Sequence, residues 1–308
     1  MKARIVLLAE IVVLSFLIAD FSSYSASALM SSSLPANCYI APQPQVNWEQ
    51  CPFAGKALSD VKLDGSNLSH INLSGAHFTG VSLKGVNLSG ADLTNAHLEN
   101  VDLTDAKLYG ANLEGAVLSN VKMSKTVLSG AILSNLNLSN LSMNYADLSS
   151  AMLDNCNLEG TDLSGATLSY TVLTGSNMEG SKLFNTNFFY ANAGNVDISH
   201  AKIGGTSFFG ANLTDSNLSH DDLTADNLSF STLVGTDFSY SNLVDANFDY
   251  SHLSGTKFES GDLSNALMTN SQVFNVDFRN ANLLDTNLSG STITQGVWTC
   301  INNEACRS

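Results

Sequence analysis

From Phe53 to Trp298 every fifth residue is apolar, fifty positions in unbroken frame, with Ala193 the smallest of them. Two residues before each sits a mostly small or β-branched residue, such as Ala91, Ala111, Val121, Thr161 or Ser241. The residue between is usually polar (Asn67, Asp92, Asn112, Asp162), and Ser or Thr and often Gly follow. Ala91-Asp92-Leu93-Thr94-Asn95 is one such unit and Ala111-Asn112-Leu113-Glu114-Gly115 another. On an α-helix a five-residue step rotates the large residue by about 140°, which spreads it over every face. A straight strand fails too, because an odd period sends alternate leucines to opposite faces. Both conflicts vanish if the chain turns a corner once per unit. The first and third residues then point inward at strand spacing, and the last two make the turn, which Gly, Asn and Ser tolerate. The pattern predicts a solenoid.

These A(D/N)LSG units resemble the pentapeptide-repeat family over about Cys51 to Trp298. The resemblance implies an all-β fold, a right-handed quadrilateral parallel β-helix of about twelve coils, four pentapeptides to a coil. A twenty-residue coil is also the one that gathers Phe78, Phe188, Phe208, Phe238, Phe248, Phe258 and Phe278 on two opposite sides. It stacks Phe238, Phe258, Phe278 and Trp298 in one inward column and Phe188 on Phe208 in another. On the outside it brings Asp102 to Lys122, Asp162 to Lys182, Lys202 to Asp222, and Lys257 between Asp237 and Asp277.

The termini carry different information. Lys2 and Arg4 precede the apolar run 5–19, and Ala26-Ser27-Ala28 supplies a small-x-small cleavage pattern, so residues 1–28 read as a cleaved signal peptide. The run is too short to span a bilayer, so no stable membrane insertion is expected after cleavage. The expected location is extracytoplasmic: periplasm, secreted or a lumenal compartment. Residues 29–50 read as an amino-terminal cap, 51–298 as the repeat and 299–308 as a carboxyl-terminal cap. Two close cysteine pairs, Cys38 with Cys51 and Cys300 with Cys306, fit disulfide staples in an oxidising compartment. Cys156 falls on an inward small position and reads as a buried free thiol.

Candidate chemistry is sparse. Charged residues make up only 13%, and the net charge of −15 argues against nucleic acid partners. Once the repeat accounts for the glycines, no phosphate loop, G-x-S-x-G elbow or H-E-x-x-H motif remains, so no cofactor and no metal are expected. The stacked pairs His77/His97 and His200/His220, the latter beside Tyr240, lack a third ligand. Asp221 and Asp226 occupy inward positions reserved for small residues; each either accepts hydrogen bonds from turn amides or belongs to acid–base machinery with His220. Tyr170, Tyr190, Phe230 and Tyr250 share one corner column, interrupted by Gly210, with Phe189 and Phe209 beside it. Outward aromatics along one edge of an acidic rod form a candidate partner-binding strip.

The expected function is therefore a non-enzymatic extracytoplasmic structural or protein-interaction rod, of open oligomeric state, which binds a protein through its faces or that edge. The resemblance supplies an alternative, because some quinolone-resistance members look like B-DNA and bind DNA gyrase. The export signal weighs against that reading.

Overall fold

The structure, a computed structural model, describes residues 36–302. The signal peptide expected at 1–28 and Cys306 lie outside those residues. Parallel backbone pairing joins each residue of a ladder to the one twenty positions on, along four columns that begin with Asn47↔Asn67, Pro52↔Asn72, Ala57↔His77 and Lys62↔Ser82. The chain is thus a right-handed β-solenoid of about twelve turns with four five-residue sides. Extended runs are short: β1 (Ala57–Ser59), β2 (His77–Thr79), β3 (His97–Glu99) and β4 (Val117–Ser119) form one parallel patch, β5 (Gln272–Asp277) and β6 (Thr292–Val297) another. No helix among the described residues is long and apolar enough to cross a membrane.

Each position of the unit has a physical task. The third residue fills the core: Leu103, Leu113, Phe238 and Phe258 are all fully buried. The first also points inward, and at most Thr and several Ser its hydroxyl donates to the carbonyl 23 residues back, as Thr161 does to Leu138 (2.8 Å) and Thr236 to Leu213 (2.7 Å). Ser231 and Ser251 donate instead to the carbonyl three residues back. A buried hydroxyl without such a partner would be costly, so the coil below makes the polar choice tolerable. The second residue, Asn or Asp, faces out and caps the turn, its side-chain oxygen accepting from the amide two residues on, as Asp92 does from Thr94 (3.0 Å). The fourth adds its hydroxyl to the same oxygen (Thr94 to Asp92, 2.7 Å). The fifth takes positive φ, +65° at Gly90 and +55° at Asn95. Asn and Gly enter that region most readily.

The aromatic columns form as expected. Phe238, Phe258 and Phe278 stack at 5.4 and 5.3 Å between centroids, Trp298 tilts onto Phe278 at 4.6 Å, and Phe188 lies 4.8 Å from Phe208. Phe248 meets Phe238 and Phe258 edge-on. At the amino end pairing begins at Asn47, one side earlier than Cys51. Trp48 is buried there, stacked on Phe53 at 4.5 Å, with its indole N–H donating to the Ile40 carbonyl (3.1 Å).

Several outer expectations need correction. Lys182–Asp162 and Lys257–Asp237 pair at 3.2 Å each, but Asp102 pairs with Lys84 rather than Lys122, because Lys84 reaches it diagonally from the preceding coil. Asp277 pairs with Arg279, two residues along its own chain. Lys202 and Asp222 form no ion pair, since the ladder between them is broken. Ile293 is 40% exposed instead of buried, because β6 is paired on one side only.

The ladder breaks at two points among the described residues: Val117 does not pair with Asn137, and Lys202 does not pair with Asp222. At both, an oversized inward residue sits one coil above an alanine, Leu136 over Ala116 and Asp221 over Ala201. Size alone does not part the wall, since Ile71 over Cys51 and Leu141 over Val121 fill the same position with Pro52↔Asn72 and Lys122↔Ser142 intact. The breaks fall where a large residue steps directly onto an alanine. Phe238→Ala should cost about 2–5 kcal/mol in a denaturation experiment through the cavity it leaves. Thr236→Val, which keeps the shape and removes the donor, should cost about 1 kcal/mol.

Candidate functional site

The solenoid brings the six predicted aromatic residues into one cluster. Tyr170 and Tyr190 stack at 6.0 Å, Phe189 and Phe209 at 5.5 Å, and Phe230 and Tyr250 at 4.9 Å. Phe189 is edge-on to Tyr190 at 4.7 Å, and Phe209 joins Phe230 at 5.1 Å, so the rings are continuous. Gly210 does not interrupt them: Tyr190 leans over it, with ring atom Cε1 only 2.7 Å from where a Cβ would stand. Together with φ +65°, that contact explains glycine at this corner. The four corner rings are about half exposed, from 48% at Tyr190 to 57% at Tyr170.

The edge is also electrically distinct. Over the same coils the sides that meet at this corner present Thr167, Asn187, Asn227, Asn247, Val172 and Asn212. Their outward carboxylates are Asp215, at the far end of one side, and Asp249, which accepts from the Thr269 amide (2.8 Å) and hydroxyl (2.7 Å). The opposite sides carry Asp197, Asp237, Lys182, Lys202, Asp222 and Asp262. Charge is thus gathered on one half of the rod, and aromatic rings and amides on the other.

Asp221 and Asp226 are buried, 3% and 1% exposed. Asp226 Oδ1 accepts from the Thr206 amide (2.9 Å), displacing the turn bond made at regular corners. The neighbouring Asn227 amide stretches to 3.4 Å from the Thr206 carbonyl. The second oxygen of Asp226 and both oxygens of Asp221 have no hydrogen-bond partner. Hydroxyls in this inward position donate to a carbonyl of the coil below, and an ionised carboxylate has no proton to give. Burial pushes Asp221 up to about 8, against the Ala201 amide that lowers it, and Asp197 adds to the rise. Burial pushes Asp226 up to about 7, against the Thr206 and Gly205 amides. Asp221 therefore belongs to the broken wall between Lys202 and Asp222, and Asp226 to the next side, where Ser207 still pairs with Asn227.

Both carboxyls titrate higher folded than unfolded, so the folded chain binds the extra protons. Their stabilisation is full below about pH 4 and is lost as pH rises through about 7 to 8. The melting temperature should fall between about pH 5 and pH 9. Asp221→Thr, which installs the regular hydroxyl donor, should raise it at the alkaline end and flatten the slope.

The remaining candidates do not converge. Cys38 and Cys51 are disulfide-bonded, Cα atoms 5.5 Å apart. The Cys300–Cys306 expectation falls on a residue outside those described. Cys156 is buried and free; its Sγ donates to the Leu133 carbonyl (3.0 Å), and burial pushes the thiol up to about 12, the opposite of an activated nucleophile. His77 stacks on His97 at 4.6 Å, His200 on His220 at 5.1 Å, and His220 on Tyr240 at 5.0 Å. A shallow depression over β2–β4 holds His77, His97 and Glu99. Among the described residues no three His, Cys, Asp or Glu gather where they could hold a metal ion. Sequence reasoning missed the two wall breaks, although Leu136 and Asp221 in a small-residue position were their visible signal.

No curated protein matches the chain. Among solved structures it is similar to HetL, a pentapeptide repeat protein involved in heterocyst differentiation regulation from the cyanobacterium Nostoc (20% identity, 83% of this chain and 92% of that, TM-score 0.23). It is also similar to QnrB1, a plasmid-mediated fluoroquinolone resistance protein (16% identity, 77% and 91%, TM-score 0.34). A third similarity is to a pentapeptide repeat protein of the Arabidopsis thaliana thylakoid lumen (23% identity, 39% and 69%, TM-score 0.26). The family model for pentapeptide repeats matches in eight copies, seven overlapping from 58 to 199 and one at 227–265. With more than half of its length matched, and with the coil geometry those repeats specify, the chain belongs to the pentapeptide repeat family.

Proposed function

We propose that the protein is a non-enzymatic interaction rod that works outside the cytoplasm and docks a protein through the edge formed by Tyr170, Phe189, Tyr190, Phe209, Phe230 and Tyr250. The observation that carries this reading is the pairing of half-exposed aromatic rings with uncharged flanks on a chain of net charge −15. Aromatic side chains supply most of the energy of specific protein interfaces, and charge is depleted at interface centres. The rings are already stacked on one another, so little side-chain freedom is lost on docking. A DNA-like reading would need carboxylates all around the rod, and over about five coils this edge carries just Asp249 beside its rings. The leader expected at 1–28 and the Cys38–Cys51 bond support an oxidising, extracytoplasmic setting.

Mature protein isolated from its producing cell should begin near Leu29 and lie outside the cytoplasm; full-length chain confined to the cytosol would overturn the location. Replacing Tyr170, Tyr190, Phe230 and Tyr250 together by Ser should change folding stability by no more than about 0.5 kcal/mol at each site. The same variant should lose most partner capture from the extracytoplasmic fraction. Capture equal to that of the wild type would remove the edge from the function.

A further inference from the structure

The corner column that carries the rings has an order that reads the same in both directions. Counted outward from Gly210, one coil away lie Tyr190 and Phe230, and two coils away lie Tyr170 and Tyr250. The flanks share this order in part, with Phe189 answering to Ser229 and Val172 to His252. On one side Ser207 is the centre, with Asn187 and Asn227 at equal distances. A twofold axis at the level of Gly210, perpendicular to the rod, would therefore set the corner rings against one another and Asn187 against Asn227. It would place Phe209 of one rod beside Phe209 of the other. A surface that is self-complementary under a twofold operation is what an isologous dimer requires.

Charge restricts the occupant further. Two rods of −15 each repel through most approaches, and the edge is where they meet without burying like charges. In the antiparallel arrangement Asp249 faces the level of Ser169, not another carboxylate, and His252 faces the level of Val172. The parallel arrangement would instead bring Asp249 to Asp249. From Tyr170 to Tyr250 the strip runs about 19 Å, taking about 4.8 Å per coil. With its flanks it offers roughly 600 Å² per rod, toward the lower end of specific interfaces, so a reversible dimer with micromolar affinity is expected.

We propose that the aromatic edge is the contact of an antiparallel, twofold-symmetric dimer of this chain, centred at Gly210. The inference rests on the docking role proposed above and names its occupant.

The test uses the mature exported protein with its disulfides intact. Sedimentation equilibrium should show a monomer–dimer equilibrium for the wild type and monomer for the Tyr170/Tyr190/Phe230/Tyr250→Ser variant. For orientation, Ser150→Cys and Asn270→Cys are made separately; each lies three coils from Gly210, on opposite sides of it. A short bis-maleimide should join a mixture of the two variants into dimers and leave each variant alone largely uncrosslinked, with buried Cys156 unreactive in both. Crosslinking of each variant to itself would overturn the antiparallel arrangement. A wild-type monomer throughout would overturn the dimer. If that monomer still captures a different protein, and the aromatic variant does not, the docking edge stands and only its occupant is wrong. If the aromatic variant dimerises like the wild type, the dimer forms elsewhere and the proposal fails.

Discussion

The constraint on which the rest depends is the room available at the first inward position of each five-residue side. The core is one side chain deep, and every side must stack on the one twenty residues before it. Ala, Val, Ser and Thr fit, and the hydroxyls find a carbonyl 23 residues back, as Thr186 finds Leu163 at 2.9 Å. Ile71 and Leu141 are accommodated there too, over Cys51 and Val121, with their ladders intact. Leu136 and Asp221 are the large residues that step directly onto an alanine, and the backbone ladder opens at both. Local strain in this rod therefore follows from one dimension of its repeat.

A solenoid has no cleft unless an insertion makes one, and the repeat frame has no insertion. Function must then be written on the outer corners and faces, where each column of residues twenty apart is a surface in its own right. In the coils from about 167 to 254 those columns divide the rod lengthwise, with Asp197, Asp237 and Lys257 on one half and the ring cluster on the other. The charged half repels acidic surfaces, and the ring-bearing half, with fewer charges, is where association costs least. The buried carboxylates lie inside the wall, where burial without full hydrogen bonding makes them a source of pH-dependent strain.

Most of the fold was legible because it follows from arithmetic. An unbroken period of five forces a corner per unit, and the Phe238–Phe258–Phe278 column fixes the coil at twenty. The aromatic edge was legible for the same reason, since a twenty-residue coil puts Tyr170 and Tyr190 in one column. What escaped was whatever depends on reach or on the ends. Asp102 has two lysines within one coil, and only side-chain geometry decides that Lys84 takes it. Ile293 keeps the frame, yet strand β6 has a neighbour on one side only. Nor could the repeat reveal that Tyr190 folds over Gly210 and closes the gap in the strip.

Amide hydrogen exchange along the folded chain tests the central claim most directly, because it reads the ladder residue by residue. The account predicts protection near the global unfolding limit through the regular coils, and local minima at two places. These are Ile203 to Asp222, where the Lys202–Asp222 pairing is missing, and Leu118 to Asn137, where the Val117–Asn137 pairing is missing. Leu136→Ala should restore protection at the second minimum and leave the first unchanged. Uniform protection across both sites, or minima that ignore the size of the inward residue, would contradict it.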